Sequence, residues 1–136
     1  MRKSKRETEE TRKRIVEIAA DEFRQHGIVT SGIADLMAAV GLTHGAFYRH
    51  FESKEQLVSE ATAAALDTLL HTLASAASGK KGRNGLKAAL AVYVCAEHRD
   101  NPRDGCSLAA LAANSLDRIK GFEMLQRPGF RGWSKF

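Results

Sequence analysis

The chain has 136 residues, of which 43% are hydrophobic and 27% charged, a composition typical of one soluble globular domain or of two small subdomains. Its formal net charge is +5, with a basic excess in residues 1–14 and again in residues 118–136. No apolar run approaches the roughly 18 residues of a membrane-spanning helix, and no signal-peptide core follows the basic N-terminus. We therefore expect a cytoplasmic protein without a membrane partner.

Apolar residues at helical spacing predict a first helix over residues 10–26, and Gly27 is a suitable C-cap. The preceding residues 1–8 are predicted to be a basic, disordered arm. Such an arm either assists phosphate binding or is simply a solvated end.

Two further short helices are predicted after that glycine. Ser31 is a good N-cap for the second helix, which ends at Gly41, where a sharp reversal favours glycine. The third helix begins at Thr43 and is expected to bury Phe47 and Phe51. The three helices would form a helix-turn-helix unit whose third helix has the right size for a DNA major groove.

The remainder of the chain also follows helical periodicity. Ser53 is a cap for a long helix that reaches about residue 77, and residues 78–85 have the composition of a loop. Two more amphipathic segments cover residues 86–97 and 108–119. With no strand pattern, the predicted fold class is all-α.

Residues 27–57 contain a dense run of motif residues: Val40, Gly41, Leu42, Thr43, Gly45, Phe47, Tyr48, His50, Phe51, Ser53, Lys54 and Glu55. With this run, residues 27–57 resemble the DNA-binding domain of the TetR family of bacterial transcriptional regulators. The Asn-Pro and Gly-Cys-x-Leu-Ala-Ala-Leu motifs of residues 101–111 resemble an element of the regulatory domain in some members.

The resemblance implies a two-part organisation. A helix-turn-helix DNA-binding domain is expected over residues 9–69, with the motif at about 32–51. Residues 70–136 would form a truncated helical domain for ligand binding and dimerisation, with an atypical tail from about residue 116.

The resemblance also implies which residues contact DNA. The base-facing residues would be Thr43, His44, Gly45, Ala46 and Arg49. Small residues near a helix N-terminus let the backbone approach the groove, and an arginine can pair bidentately with guanine.

Phosphate contacts are expected from Tyr48, His50 and Lys54. Gly32 stands where the family usually has Ser or Thr, and Thr30 and Ser31 are the candidate substitutes for that contact. Each residue also has an alternative role. The tyrosine ring could be buried in the core, and the histidines (His44 among them) and the lysine could be ordinary surface residues.

A pocket for a small apolar effector is implied between the later helices. Its expected residues are Leu69, Leu73, Leu90, Tyr93, Val94, Cys106 and Leu111. The same apolar residues could equally be ordinary core.

Cys95, His98 and Cys106 are too few for a structural zinc site, so we expect buried thiols and no metal. A redox-sensing Cys106, activated by Arg103, is a weaker alternative.

These observations predict a sequence-specific DNA-binding transcriptional regulator. We expect a repressor that binds a palindromic operator as a homodimer and is released by a small apolar effector, with no cofactor. The alternative is a decayed or truncated regulator that acts as a helical interaction module without operator binding. No constellation of catalytic residues indicates an enzyme.

Overall fold

The structure is a computed structural model, and it describes residues 4–103, 105–106 and 109–111. Every regular element in these ranges is helical, which confirms the all-α prediction. The elements are α1 (Lys5–His26), α2 (Ile33–Ala39), a 3-10 helix (His44–Arg49), α3 (Lys54–Ala77), α4 (Gly82–Tyr93) and α5 (Ala96–Asp100).

Helix α1 begins five residues earlier than predicted. The Ser4 hydroxyl accepts from the Glu7 N–H at 3.2 Å, and the Glu7 carboxylate accepts from the Ser4 N–H at 2.7 Å. This reciprocal capping box satisfies two N–H groups at the helix start. The prediction of a disordered arm over residues 1–8 is therefore wrong for residues 4–8. Residues 1–3 lie outside the described residues.

The turn between α1 and α2 differs by one residue from the prediction. Helix α1 ends at Gly27, which has φ 85° as expected of a C-cap glycine. The N-cap of α2 is Gly32, and the predicted cap Ser31 is wrong. Ser31 is buried, and its hydroxyl donates to the Gly27 carbonyl at 2.7 Å. It therefore stabilises the end of α1 rather than the start of α2.

The chain reverses sharply at Gly41, as predicted. Gly41 has φ 78°, a left-handed conformation that glycine adopts without steric cost. Its N–H donates to the Ala38 carbonyl at 2.9 Å, while the Leu42 N–H donates to the Met37 carbonyl at 2.8 Å. These two bonds form a Schellman motif, which ends α2 and directs the chain into the 3-10 helix.

The core lies where α1, α2, the 3-10 helix and the first half of α3 meet. Phe47 and Phe51 are buried there as predicted, with ring centroids 5.4 Å apart. The largest fully buried side chains are Phe23, Phe47, Phe51, Ile15, Met37 and Leu57. The 3-10 helix is thus attached to the molecule by its apolar face.

Helix α3 connects the two halves of the chain. It begins after Ser53, whose hydroxyl accepts from the Gln56 N–H at 3.1 Å, and it ends at Ala77 as predicted. It packs against both α1 and α4. The proposed domain boundary between residues 69 and 70 therefore falls inside a continuous helix, and the division into two domains stays a prediction.

The later helices depart from the predicted bounds. Helix α4 already begins at Gly82, inside the predicted loop of residues 78–85. The predicted continuous helix over residues 86–97 is interrupted, because α4 ends at Tyr93 and α5 starts after Cys95. The thiol of Cys95 accepts from the His98 N–H at 3.4 Å and so caps α5.

Of the predicted segment over residues 108–119, only residues 109–111 are described, and they are helical. The other nine residues of that segment lie outside the described residues, as does the predicted atypical tail. Within the ranges that are described, no helix combines the length and apolar character needed to cross a bilayer.

We expect Gly41→Ala to lower the free energy of unfolding by about 1 kcal/mol, because alanine is strained at a left-handed φ. A Cβ at Gly41 would touch nothing within 4 Å, so the cost comes from the backbone alone. Urea titration measures it. Gly45→Ala is the matched control: its Cβ also meets nothing within 4 Å, and its φ is not positive. Equal destabilisation by both substitutions would contradict the assigned role of Gly41.

Candidate nucleic-acid interface

The outer face of the 3-10 helix carries the predicted base-facing residues. Thr43, His44, Gly45 and Arg49 are exposed, and Ala46 is half-buried. Phe47, on the opposite face, is fully buried. A Cβ at Gly45 would meet no atom within 4 Å, so the backbone is open to solvent there. The structure therefore exposes four of the five predicted base-facing residues, while Ala46 packs against the core.

Tyr48 lies beside this face and is 62% exposed, so the alternative of a core tyrosine is wrong. Its ring packs edge-on against Phe47 at 5.2 Å and lies 6.1 Å from the ring of His44. The buried phenylalanine thus orients an exposed aromatic side chain that still has access to solvent.

The predicted phosphate-binding residues differ in exposure and in their hydrogen-bond partners. The ammonium of Lys54 donates to the Ile28 carbonyl at 2.7 Å, in the turn that precedes α2. Thr30 is exposed in the same turn, and its hydroxyl donates to the His26 carbonyl. Lys54 and Thr30 therefore lie near one turn, although they are 24 positions apart in the sequence.

Ser31 and His50 are less accessible. Ser31 is 6% exposed and its hydroxyl is bonded to Gly27, so it does not replace the contact that the family usually makes at position 32. His50 is half-buried, and its ring lies 6.5 Å from that of Phe51.

An unpredicted cluster surrounds the C-terminal end of the 3-10 helix. The Arg12 Nε–H donates to the His50 carbonyl at 3.2 Å, and another guanidinium nitrogen lies 2.5 Å from the Glu60 carboxylate. The same guanidinium lies 4.6 Å from the centre of the Phe51 ring. One side chain of α1 thereby contacts both residues that follow the 3-10 helix, His50 and Phe51, and also α3.

The hydrogen bond from Arg12 lowers the pKa of the Glu60 carboxyl below its usual value. Partial burial opposes this effect, while the charge of Arg12 and a hydrogen bond from Gln56 support it. The basic character of Arg12 was evident from the sequence, but no local pattern indicated a partner 48 positions away.

The predicted effector residues are only partly brought together. Tyr93, Val94 and Cys106 line an open cleft of about 540 Å³ between α4, α5 and residues 101–102, 105–106 and 109–110. Leu69 and Leu73 are half-buried on α3, Leu90 is 49% exposed, and Leu111 is buried in the core. These four leucines do not line the cleft. The other cleft residues are His98, Arg99, Asn101, Pro102, Gly105, Ala109 and Ala110.

Polar groups lie at one side of this cleft. The Tyr93 hydroxyl and the Cys106 sulfur are 3.4 Å apart, and their hydrogen bond raises the pKa of Tyr93. The imidazole of His98 lies 4.9 Å from the Tyr93 ring. The cleft is therefore mainly apolar with a few polar groups, as is usual for small-molecule sites.

Arg103 joins the turn beside the cleft to α1. Its Nε lies 3.8 Å from the Asp21 carboxylate. With the Gln25 amide oriented so that its oxygen faces Arg103, that oxygen accepts two guanidinium hydrogen bonds of 2.7 and 2.8 Å. The side chain thus faces α1, which does not support Arg103 as an activator of the Cys106 thiol.

Both cysteines are free thiols and both are half-buried. Cys95 caps α5, so its sulfur has a structural role. Among residues 4–103, 105–106 and 109–111, no group of three or more His, Cys, Asp or Glu side chains is arranged to hold a metal ion.

The fold and this surface define a helix-turn-helix domain with an exposed, polar 3-10 helix after a glycine turn. The sequence model of a family described as "Bacterial regulatory proteins, tetR family" matches residues 15–61. These residues include α2, the 3-10 helix and the start of α3. Residues 15–61 are therefore similar to the DNA-binding domain of this family.

Several curated relatives are similar to part of the chain. The HTH-type transcriptional regulator AcrR of Shigella flexneri is 41% identical over 59 residues, which are 43% of this chain and 27% of the relative. TtgR of Pseudomonas putida is 39% identical over 72 residues, 53% of this chain and 32% of the relative.

The HTH-type transcriptional repressor KstR2 of Rhodococcus jostii is 36% identical over 87 residues, 63% of this chain and 40% of the relative. In each of these three alignments the chain therefore spans less than half of the relative's length.

The Arg12–Glu60 pair predicts a pH dependence of stability. Because the pKa of Glu60 is lowered on folding, its stabilising contribution is present above the unfolded pKa, near 4.5, and is lost as the pH falls through the folded pKa. We expect the difference in unfolding free energy between wild type and Glu60→Gln to decrease below pH 4.5. Urea titrations from pH 7 to pH 3 measure it, and a constant difference would contradict the pairing.

Proposed function

We propose that this protein is a sequence-specific DNA-binding transcriptional repressor. The observation that carries the proposal is the 3-10 helix, whose buried Phe47 fixes an opposite face of exposed, hydrogen-bonding side chains. A short helix held in this way can enter a major groove and bring its side chains to base edges. The relatives named as regulators and repressors support this function.

The proposed roles follow from position. Arg49 reads a base edge, and Thr43 and His44 contact bases near the N-terminal end of the 3-10 helix. Gly45 and Ala46 keep bulk low so that the helix approaches the groove closely.

Phosphate contacts are assigned to Tyr48, Lys54, His50 and Thr30. Lys54 is the strongest of these, because its positive charge is held at a fixed place by the Ile28 carbonyl. Phosphate contacts of this kind set register and orientation without selecting sequence.

The protein is proposed to bind a palindromic operator as a homodimer. One 3-10 helix reads only a few base pairs, whereas two such helices separated by about 34–36 Å read two half-sites one turn of B-DNA apart. Light scattering on the protein alone and with operator DNA tests this step. Two subunits per operator are expected.

A small, mainly apolar effector is proposed to release the DNA, and the cleft beside Tyr93, Val94 and Cys106 is its candidate site. An effector acts by binding more tightly to a conformation that does not fit the operator. The cleft volume of about 540 Å³ lies in the range of small-molecule pockets.

The alternative of an interaction module without DNA binding is not favoured. It gives no reason for an exposed helix with Arg49, His44 and Thr43 on one face, beside Lys54 and Tyr48. A stable monomer that shows no retardation of any duplex at low salt would reverse this preference.

Arg49→Ala and Lys54→Ala are expected to have different effects on DNA binding. The operator is first selected from a random duplex library with the wild-type protein. Loss of Arg49 should reduce discrimination at one base pair by about 1–3 kcal/mol. Loss of Lys54 should weaken binding to all duplexes and reduce the slope of log K against log salt by about one.

Fluorescence anisotropy with operator and scrambled duplexes measures both effects, and circular dichroism checks that the Lys54 variant is folded after its bond to Ile28 is removed. If both variants kept wild-type affinity and specificity, these assignments would be wrong.

Val94→Trp should prevent an effector that occupies the cleft from releasing the DNA. Val94 is 71% exposed at the edge of the cleft, and an indole ring at this position would obstruct the cleft. Apolar compounds are screened for release of the wild-type operator complex, and active compounds are then tested on the variant. Leu86→Trp is the control, since Leu86 is 61% exposed on α4, the helix that ends just before Val94, and does not line the cleft. Unchanged release from the Val94 variant would exclude this cleft.

A further inference from the structure

We propose that Arg12 is a positioning residue for DNA recognition. It fixes the C-terminal end of the 3-10 helix against α1 and α3, and thereby sets the angle at which the base-facing side chains are presented. The proposal rests on the proposed function, because it concerns how the same helix is held.

Three contacts converge on the Arg12 guanidinium. Its Nε–H donates to the His50 carbonyl at 3.2 Å, and a terminal nitrogen pairs with Glu60 at 2.5 Å. Its central carbon also lies over the Phe51 ring, 4.6 Å from the ring centre. His50 is the residue directly after the 3-10 helix, so one side chain holds the exit of that helix to two long helices.

The planar, forked shape of the guanidinium is what allows these contacts to coexist. Arginine offers five N–H donors in fixed directions and can also stack on an aromatic face. A lysine at position 12 would retain the charge but provide only a compact ammonium group. We therefore expect that the ammonium group in Arg12→Lys cannot bond to the His50 carbonyl and pair with Glu60 at the same time.

The 3-10 helix needs such a contact because its own bonding is weak. It has six residues, and Thr43 at its start makes no side-chain cap. Hydrogen-bond geometry in 3-10 helices is poorer than in α-helices, and runs longer than three or four residues are uncommon. Burial of Phe47 fixes one face of the helix to the core, while Arg12 fixes its exit.

Other basic residues of α1 do not make such contacts. Lys13 pairs with Glu17 at 3.9 Å, and Arg6 pairs with Glu10 at 2.9 Å. Both are exposed pairs one turn apart within α1, and pairs of this kind contribute little to stability. Lys13→Gln therefore removes the same charge as Arg12→Gln from the neighbouring position, without removing a contact to the 3-10 helix.

The first experiment is independent of DNA. The N–H groups of His50 and Phe51 both donate to the Phe47 carbonyl, at 2.9 and 3.0 Å. Loss of a charged hydrogen bond next to these amides should speed their hydrogen exchange about tenfold. We expect this in Arg12→Gln and in Arg12→Lys, with unchanged exchange in Lys13→Gln.

Amides in the middle of α3, such as that of Ala65, serve as an internal reference. Equal acceleration at Ala65 would mean that Arg12→Gln weakens the whole fold, and the positioning role would be overturned. Arg12→Lys with wild-type exchange would also overturn it, because charge alone would then be sufficient.

The second experiment measures recognition. Operator duplexes selected by the wild-type protein are compared with scrambled duplexes of equal length. Arg12→Gln should lower the affinity for the operator about tenfold, as expected for loss of a charge-assisted hydrogen bond. Its affinity for scrambled duplexes should fall only as much as that of Lys13→Gln, which loses the same charge. Equal losses on both kinds of duplex would show that Arg12 supplies only charge, and would overturn the proposal.

Glu60→Gln completes a double-mutant cycle. If Arg12 and Glu60 act as one unit, the effect of the double variant on operator specificity will be smaller than the sum of the single effects, whereas additive effects would overturn the coupling. If the wild-type protein selects no sequence at all, the proposed function fails. The hydrogen-exchange experiment would still decide whether Arg12 holds the 3-10 helix.

Discussion

The exposed polar face of the 3-10 helix depends on the burial of the opposite face. Six residues of 3-10 helix would not persist alone in water, because nucleation is unfavourable and each turn contributes few hydrogen bonds. Phe47 and Phe51 are 0% and 2% exposed, and burial of each such side chain is worth about 1.5–3 kcal/mol. The aromatic core therefore holds in place an element whose local bonding is too weak to define it.

The features predicted correctly are those with a local signal. Gly27 and Gly41 mark the ends of α1 and α2, where the chain adopts positive φ. The apolar residues Phe47 and Phe51 predicted the buried side of the third helix, whereas the base-facing residues were implied by the family resemblance. Ser53 marked the start of α3 correctly, because its hydroxyl has a bonding partner only three residues away. Interactions within one turn can be read from spacing alone, which is why these positions were predicted correctly.

The features that were missed depend on contacts between distant residues or on competing local bonds. Arg12 and Glu60 are 48 positions apart, so their pairing follows only from the packing of α1 against α3. Ser31 is a suitable N-cap by residue type, but its hydroxyl bonds backward to Gly27. The interruption after α4 arises because the Cys95 thiol caps a new helix, although cysteine is not a residue type that predicts a cap.

Helix α1 connects the candidate interface to the later part of the chain. At Asp21 and Gln25 it contacts Arg103, which belongs to the turn beside the cleft, and at Arg12 it contacts the exit of the 3-10 helix. Position 12 lies about 13 Å along the helix axis from position 21, since the rise is about 1.5 Å per residue. Because an α-helix of 22 residues moves largely as a rigid body, displacement of that turn must either break the Arg103 contacts or shift α1. A shift of α1 would carry the Arg12 guanidinium with it. The strength of the hydrogen bond to the His50 carbonyl depends steeply on distance and angle, so even a small shift would weaken that bond. A movement of the cleft that shifted α1 would therefore also displace the side chain proposed to orient the 3-10 helix.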